Sequence, residues 1–239
     1  MNVANMCFHA GSITPALYRQ FFGGTLSSAQ ESLRRLVRAG FLEKASSTAY
    51  AQYIPTKTLL EYAHSRGVDC LAYRGPGGIA THDILAMHAA MRICVEYHRI
   101  GHSVRLVGPR SPELYRYDLN PQEEVRPDAI VVLGKGSAAR LIAIEQQQST
   151  ITRARILNKL SRYVIPLQRS ELDYVYIAST QRGILKSFDV DVERLPTFYV
   201  DVRGELVQRP VERSWRAYGQ VSDQYRHLHM HDLHALYYE

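Results

Sequence analysis

Asp128 follows Pro127 at the mouth of one β-like run, DAIVVLG, and Glu145 closes the next, RLIAIEQ, with Gln147 two residues further on. Side chains alternate along an extended chain, so Glu145 and Gln147 share one face and project together towards Asp128 when the two strands are neighbours. Two carboxylates and an amide oxygen are hard donors of the kind Mg²⁺ or Mn²⁺ takes, with waters and phosphate oxygens completing the shell. A cation held there polarises a phosphoester and activates water near neutral pH. Glu96, on the run HDILAMHAAMRICVEYHRIG, is a candidate third metal carboxylate. A plainer alternative has Asp128 capping a turn after Pro127, Glu145 paired with an arginine, and Glu96 as an acid on the wet face of a helix.

The cations are distributed to match an anionic partner. Lys and Arg number 29 against 23 Asp and Glu, a formal charge of +6, which places nucleic acid first among partner classes. Residues 146–170 carry Arg153, Arg155, Lys159, Arg162 and Arg169 with no acid, a track for phosphates or a solvated basic face. Near the N-terminus Arg34, Arg35 and Arg38 lie on one helical run, the residue type that grips phosphates and forks guanine. In the tail, His227, His229 and His231 alternate before Asp232 and His234: a strand would align the first three, while a helix would align His227, His231 and His234. The segment is expected to be a polar, partly ordered terminus. Cys7, Cys70 and Cys94 are odd in number and widely spaced, which suits reduced packing residues better than a disulfide framework or zinc site.

The elements that must position these groups are legible from periodicity and breakers. From Ile13 to Lys44 apolar residues recur at helical spacing on both sides of Gly23 and Gly24. Ser27 or Ser28 is available to cap the second helix, Leu33, Leu36 and Val37 face inward, and Gly40 stops it. FLEKASSTAYAQYIPT then reads as a hairpin and TKTLLEYAHSRG as a helix, so residues 1–71 are expected to form a winged helix-turn-helix. Residues 72–81, rich in Gly and Pro, are expected to be a linker. A long helix from His82 to Gly101 precedes strands near Val104, Ile130, Ile142, Val175 and Tyr199, with a helix after Ile151 between the third and fourth. This is α/β (α+β overall), a mixed sheet between helical layers over residues 82–205, followed by a C-terminal extension over 206–239.

RPDAIVVL, a short Gly-containing turn, LIAIEQQ and the helix after it resemble the PD-(D/E)xK nuclease superfamily over roughly residues 82–201. With the N-terminal unit, the His82–Asp83 helix start and the helix ending KLSRY, the chain resembles the replication-relaxation family, which includes MobC-type plasmid mobilisation relaxases. The resemblance implies a restriction-endonuclease-like α/β/α core that nicks double-stranded DNA at a plasmid transfer origin. It also implies work beside an accessory mobilisation protein and a conjugative coupling protein. Asp128, Glu145 and Gln147 would be catalytic, with Asp128, Glu145 and Glu96 on Mg²⁺ or Mn²⁺. Arg34, Arg35, Arg38, Arg153, Arg155, Lys159 and Arg162 would contact DNA. The departure is Gln147, where the family pattern commonly has Lys; Lys159 on the next helix is a secondary alternative for the missing ammonium, although a lysine there more often faces solvent.

Two other functions stay open: a non-catalytic DNA-binding regulator of plasmid replication or transcription on an inactivated nuclease fold, and a defence or transposition endonuclease that cuts both strands. A homodimer is compatible with each. No run of about 18 apolar residues exists to span a bilayer and no signal-peptide pattern opens the chain, so a cytoplasmic protein without membrane insertion is expected.

Overall fold

The computed structural model describes residues 3–45, 51–67, 81–111, 113–114, 126–189, 198–200, 206–208 and 221–230. Threonines punctuate its helices. Thr14, Thr25, Thr56 and Thr152 each sit in extended backbone at an N-cap, and each hydroxyl accepts a hydrogen bond from the N–H three residues on. Helix α1 spans Val3–Ala10, α2 spans Pro15–Phe22 with Pro15 in its first turn, and α3 spans Leu26–Arg38. Gly23 and Gly24 hold φ of 76° and 85° between α2 and α3, a turn that glycine makes without steric cost. Thr25, not Ser27 or Ser28, caps α3; the Ser28 Oγ in turn accepts from the Thr25 N–H and so closes a capping box. Strands β1 (Leu42–Lys44) and β2 (Tyr53–Pro55) pair antiparallel, and α4 (Lys57–Ser65) follows. The hairpin tip at 46–50, Cys70 and nearly all of the expected linker lie outside the described residues.

Helix α5 (Thr81–Arg99) lies against β3 (Val104–Val107), β4 (Ala129–Leu133) and β5 (Arg140–Gln146). Helices α6 (Arg153–Ser161) and α7 (Val164–Gln168), strand β6 (Leu172–Ser179), helix α8 (Arg182–Ser187), strands β7 (Phe198–Val200) and β8 (Leu206–Gln208), and strand β9 (Tyr225–His229) complete the order. The main sheet runs β3-β4-β5-β6-β9, antiparallel from β3 to β5 and parallel from β5 to β9. β7 pairs instead with β8 in a separate two-stranded sheet, so the run at Tyr199 does not extend the main one. β9 arises within the segment read as a C-terminal extension; its parallel pairing makes Tyr225–His229 a sheet edge rather than a loose tail. His231, Asp232 and His234 lie outside the described residues.

The period-2 alternation divides the sheet between two cores. Val131, Ile142 and Ile144 join Met87 and Ala90 of α5, in a cluster that continues to Ile13, Leu17 and Leu33 of the N-terminal unit. Ala143, Val175 and Ile177 face the other way, onto Ile156 and Leu160 of α6, Leu167 of α7 and Ile184 of α8. Cys7 and Cys94 are free, and burial pushes both thiols up to about 12, as befits packing residues. Polar contacts also tie α2 to α5. Gln20 of α2 meets His88 Nδ1 at 2.6 Å, and burial lowers that imidazole to about 3, so it is neutral. At the end of β3, Gly108 passes so close to α1 and α5 that an added Cβ would lie 2.5 Å from the His9 carbonyl and 2.5 Å from Met87 Sδ. Gly108→Ala is therefore expected to destabilise the protein by about 1–3 kcal/mol in urea unfolding, the usual cost of overpacking; an unchanged midpoint would mean this approach relaxes freely.

Candidate active site

The β4–β5 register places the two carboxylates together. Ala129 pairs with Ile144, so Asp128 stands one step beyond, opposite Glu145, and directly opposed residues of an antiparallel pair share a face. Asp128 keeps the ladder going through its own N–H, which donates to the Ile144 carbonyl at 2.9 Å. Its Oδ2 accepts the Gln146 N–H at 2.7 Å, and its Oδ1 lies 2.9 Å from His82 Nε2, in the first turn of α5. That hydrogen bond raises the His82 imidazole above its ordinary value, against the opposing effect of burial.

Glu145 is 4% exposed and points at α6. Lys159 forms an ion pair with its Oε2, and the Tyr163 hydroxyl donates to its Oε1. Lys159 lies in the last turn of α6, and Tyr163, four residues on, stands at the N-cap of α7, so both reach Glu145 from the α6–α7 junction. Burial pushes the Glu145 carboxyl up in spite of the ammonium beside it. Lys159 is held above its ordinary value because Glu145 and Asp128 together outweigh the burial that acts to lower it. Burial, followed by the Glu145 charge, drives the Tyr163 phenol well up, so it remains a donor.

The structure thus brings together Asp128, Glu145 and Lys159, with His82 and Tyr163 as partners that the strand pattern did not assign. Both latter residues sat in segments already singled out, the His82–Asp83 helix start and KLSRY, but no spacing rule gave them a role. The expected cluster changes at three points. Lys159 leaves the phosphate track and turns inward, with 27% of its side chain exposed. Gln147 keeps the parity of Glu145, yet its Nε2 donates to the Ser149 carbonyl at 2.7 Å and its backbone N–H continues the ladder to Ala178, so its amide is not on the carboxylates. Glu96 is fourteen residues from His82 along α5, about 21 Å at 1.5 Å per residue, and is exposed beside Arg92. Arg153, Arg155 and Arg162 remain exposed around α6, and Arg34, Arg35 and Arg38 on α3.

No protein-family model, curated protein or solved structure matches the chain.

The donor chemistry at Asp128 and Glu145 fits a divalent cation in the sparse manner of Mg²⁺, which takes one or two carboxylates from a protein and the rest from water and phosphate. Each carboxylate oxygen already accepts one hydrogen bond or ion pair and retains a second lone pair. Among the described residues no group of three or more His, Cys, Asp and Glu is disposed to hold a metal. His82 makes the site sensitive to pH even without metal. A histidine raised in the folded state stabilises fully below its unfolded value of about 6.5, and that contribution is lost as pH rises through the higher folded value. In a chelating buffer the melting-temperature gap between the wild type and His82→Gln is expected to be wider at pH 6 than at pH 9; a gap independent of pH would remove the His82–Asp128 bond from the folded protein in solution.

Proposed function

We propose that the chain binds duplex DNA through a winged helix formed by α2, α3 and the β1–β2 hairpin, and nicks one strand in a PD-(D/E)xK-type core at a plasmid transfer origin. The observation that supports this most is the meeting of Asp128, Glu145 and Lys159 at the adjoining ends of β4 and β5 and on the helix that follows. Lys159 delivers from α6 the ammonium that the family pattern commonly carries on the strand, where this chain has Gln147. Tyr163 and Lys159 fix the rotamer of Glu145, and His82 and the Gln146 N–H fix Asp128. Mg²⁺ or Mn²⁺ on these two carboxylates would supply Lewis-acid polarisation of the scissile phosphate. The Lys159 ammonium would stabilise the charge that grows on the phosphate oxygens. The exposed Arg153, Arg155 and Arg162 would hold the backbone in register. An accessory mobilisation protein, a coupling protein and a second copy of the chain belong to this proposal as partners.

One observation favours the non-catalytic regulator instead: all four oxygens of Asp128 and Glu145 are already engaged within the protein, and Glu145 is buried. Such a closed cluster also serves as a structural peg. Incubating the protein with supercoiled origin-bearing plasmid and Mg²⁺ or Mn²⁺ separates the readings. Open circles support nicking, a mobility shift without cleavage supports the regulator, and linear product supports a double-strand endonuclease.

A further inference from the structure

Glu31, Arg34, Arg35 and Arg38 fall at i, i+3, i+4 and i+7 of α3 and so form one stripe. The Glu31 carboxylate lies at the centre of the cations: 2.5 Å from Arg38 Nη2, 3.5 Å from Arg35 Nε and 4.0 Å from Arg34 Nη1. All three arginine side chains are largely in water. Three guanidiniums turned on a single pair of anionic oxygens is the arrangement arginines make around a phosphate. Beside the stripe, a cavity of about 420 Å³ opens between α3 and the β1–β2 hairpin, lined by Gln30, Arg34, Arg38, Lys44 and Tyr53. Its cations and amide match two parts of a nucleotide strand, phosphate and base edge.

We propose that Glu31 is an intramolecular stand-in for a DNA phosphate, holding the arginine cluster in the free protein and competing with any backbone that enters the α3–hairpin groove. This rests on the DNA-binding reading above and adds the group that restrains it. Hydrogen bonding to Arg38 holds the Glu31 carboxyl below the usual carboxylate range, so the competitor is charged throughout the neutral range. Exposed ion pairs are weak, so it yields to a polyanion whose binding also releases counterions. Duplexes without a matching site gain least from base contacts and are disfavoured most.

The experiment is duplex binding as a function of salt by wild type, Glu31→Gln, and the double variant Arg34→Gln with Arg35→Gln, each checked for an unchanged melting temperature. Glu31→Gln is expected to bind a duplex of arbitrary sequence roughly five- to tenfold more tightly at low salt, with the slope of log K against log salt steeper by about one. Unchanged or weaker binding by Glu31→Gln overturns the proposal. Loss confined to one preferred sequence would also overturn it, by making Glu31 a reader of a cytosine amino group instead. The arginine variant keeps the two failures apart: if it loses affinity while Glu31→Gln gains none, α3 binds DNA without this restraint. If folded wild type binds no duplex at any salt, the DNA-binding reading falls and this inference falls with it.

Discussion

Nicking of supercoiled plasmid is expected to fall at least about a hundredfold in Asp128→Asn and in Glu145→Gln, the scale seen when one preorganised electrostatic contact to a reacting centre is removed. Each change nearly conserves volume and deletes one negative charge from the pair that would hold a divalent cation. The two variants should differ in stability. Asn at 128 can offer its oxygen to the Gln146 N–H and its amide NH₂ to a neutral His82 ring, so both hydrogen bonds survive in altered form. Gln at 145 keeps both contacts only if the Tyr163 hydroxyl turns to accept from its NH₂, and it leaves the Lys159 ammonium without a countercharge. Melting should therefore be near normal for Asp128→Asn and depressed for Glu145→Gln. Open-circle formation at the wild-type rate in both variants, with limiting Mg²⁺, would remove this pair from the chemistry.

Replacing Lys159 by Met is expected to give the largest loss of stability of any substitution at the site, about 3 kcal/mol and near the lower end of the range for breaking one side of a buried ion pair. The lower end applies because 27% of the Lys159 side chain is exposed, while the Glu145 side chain it would leave alone is 6% exposed. Without the ammonium, Glu145 moves further in the direction that burial already drives it, upwards. A carboxyl raised in the folded state favours the protonated form, so the variant should lose stability relative to wild type as pH climbs above the unfolded carboxylate value of about 4.3. Adding Glu145→Gln to Lys159→Met should restore much of the loss, since no buried charge then lacks a partner. Urea unfolding of the four proteins between pH 4 and pH 8 tests this as a double-mutant cycle. Additive effects with no pH dependence would show that the pair is not formed in solution.

Much of the molecule follows from local rules that a sequence states directly. Threonine before a helical run, paired glycines at a turn and apolar residues at a period of 3.6 locate α2 to α5 from residue type alone, although Thr25 captured the cap expected of its serine neighbours. Strand alternation, with a tight turn near Gly134 to Ala139, puts Asp128 and Glu145 on one face, because antiparallel neighbours joined by a short turn have little freedom in register. Pairings between residues remote in sequence are not fixed this way. Lys159 faces Glu145 because α6 rolls until Ile156 and Leu160 are buried against β5 and β6, and that rotation carries the adjacent lysine to the sheet. The same logic excludes Glu96: helical periodicity gives its face but not its distance from the carboxylates, which depends on α5 meeting the site through its first turn at His82. Tyr225–His229 reads as polar tail in isolation and becomes a parallel edge strand only when β6 offers an unpaired side. Composition, caps and alternation therefore determined α2 to α5, β3 to β6 and the carboxylate pair, whereas β9 and the cation, histidine and tyrosine that complete the cluster were decided by how strands and helices dock on the sheet, since burial of apolar surface acts on whole elements and not on single residues.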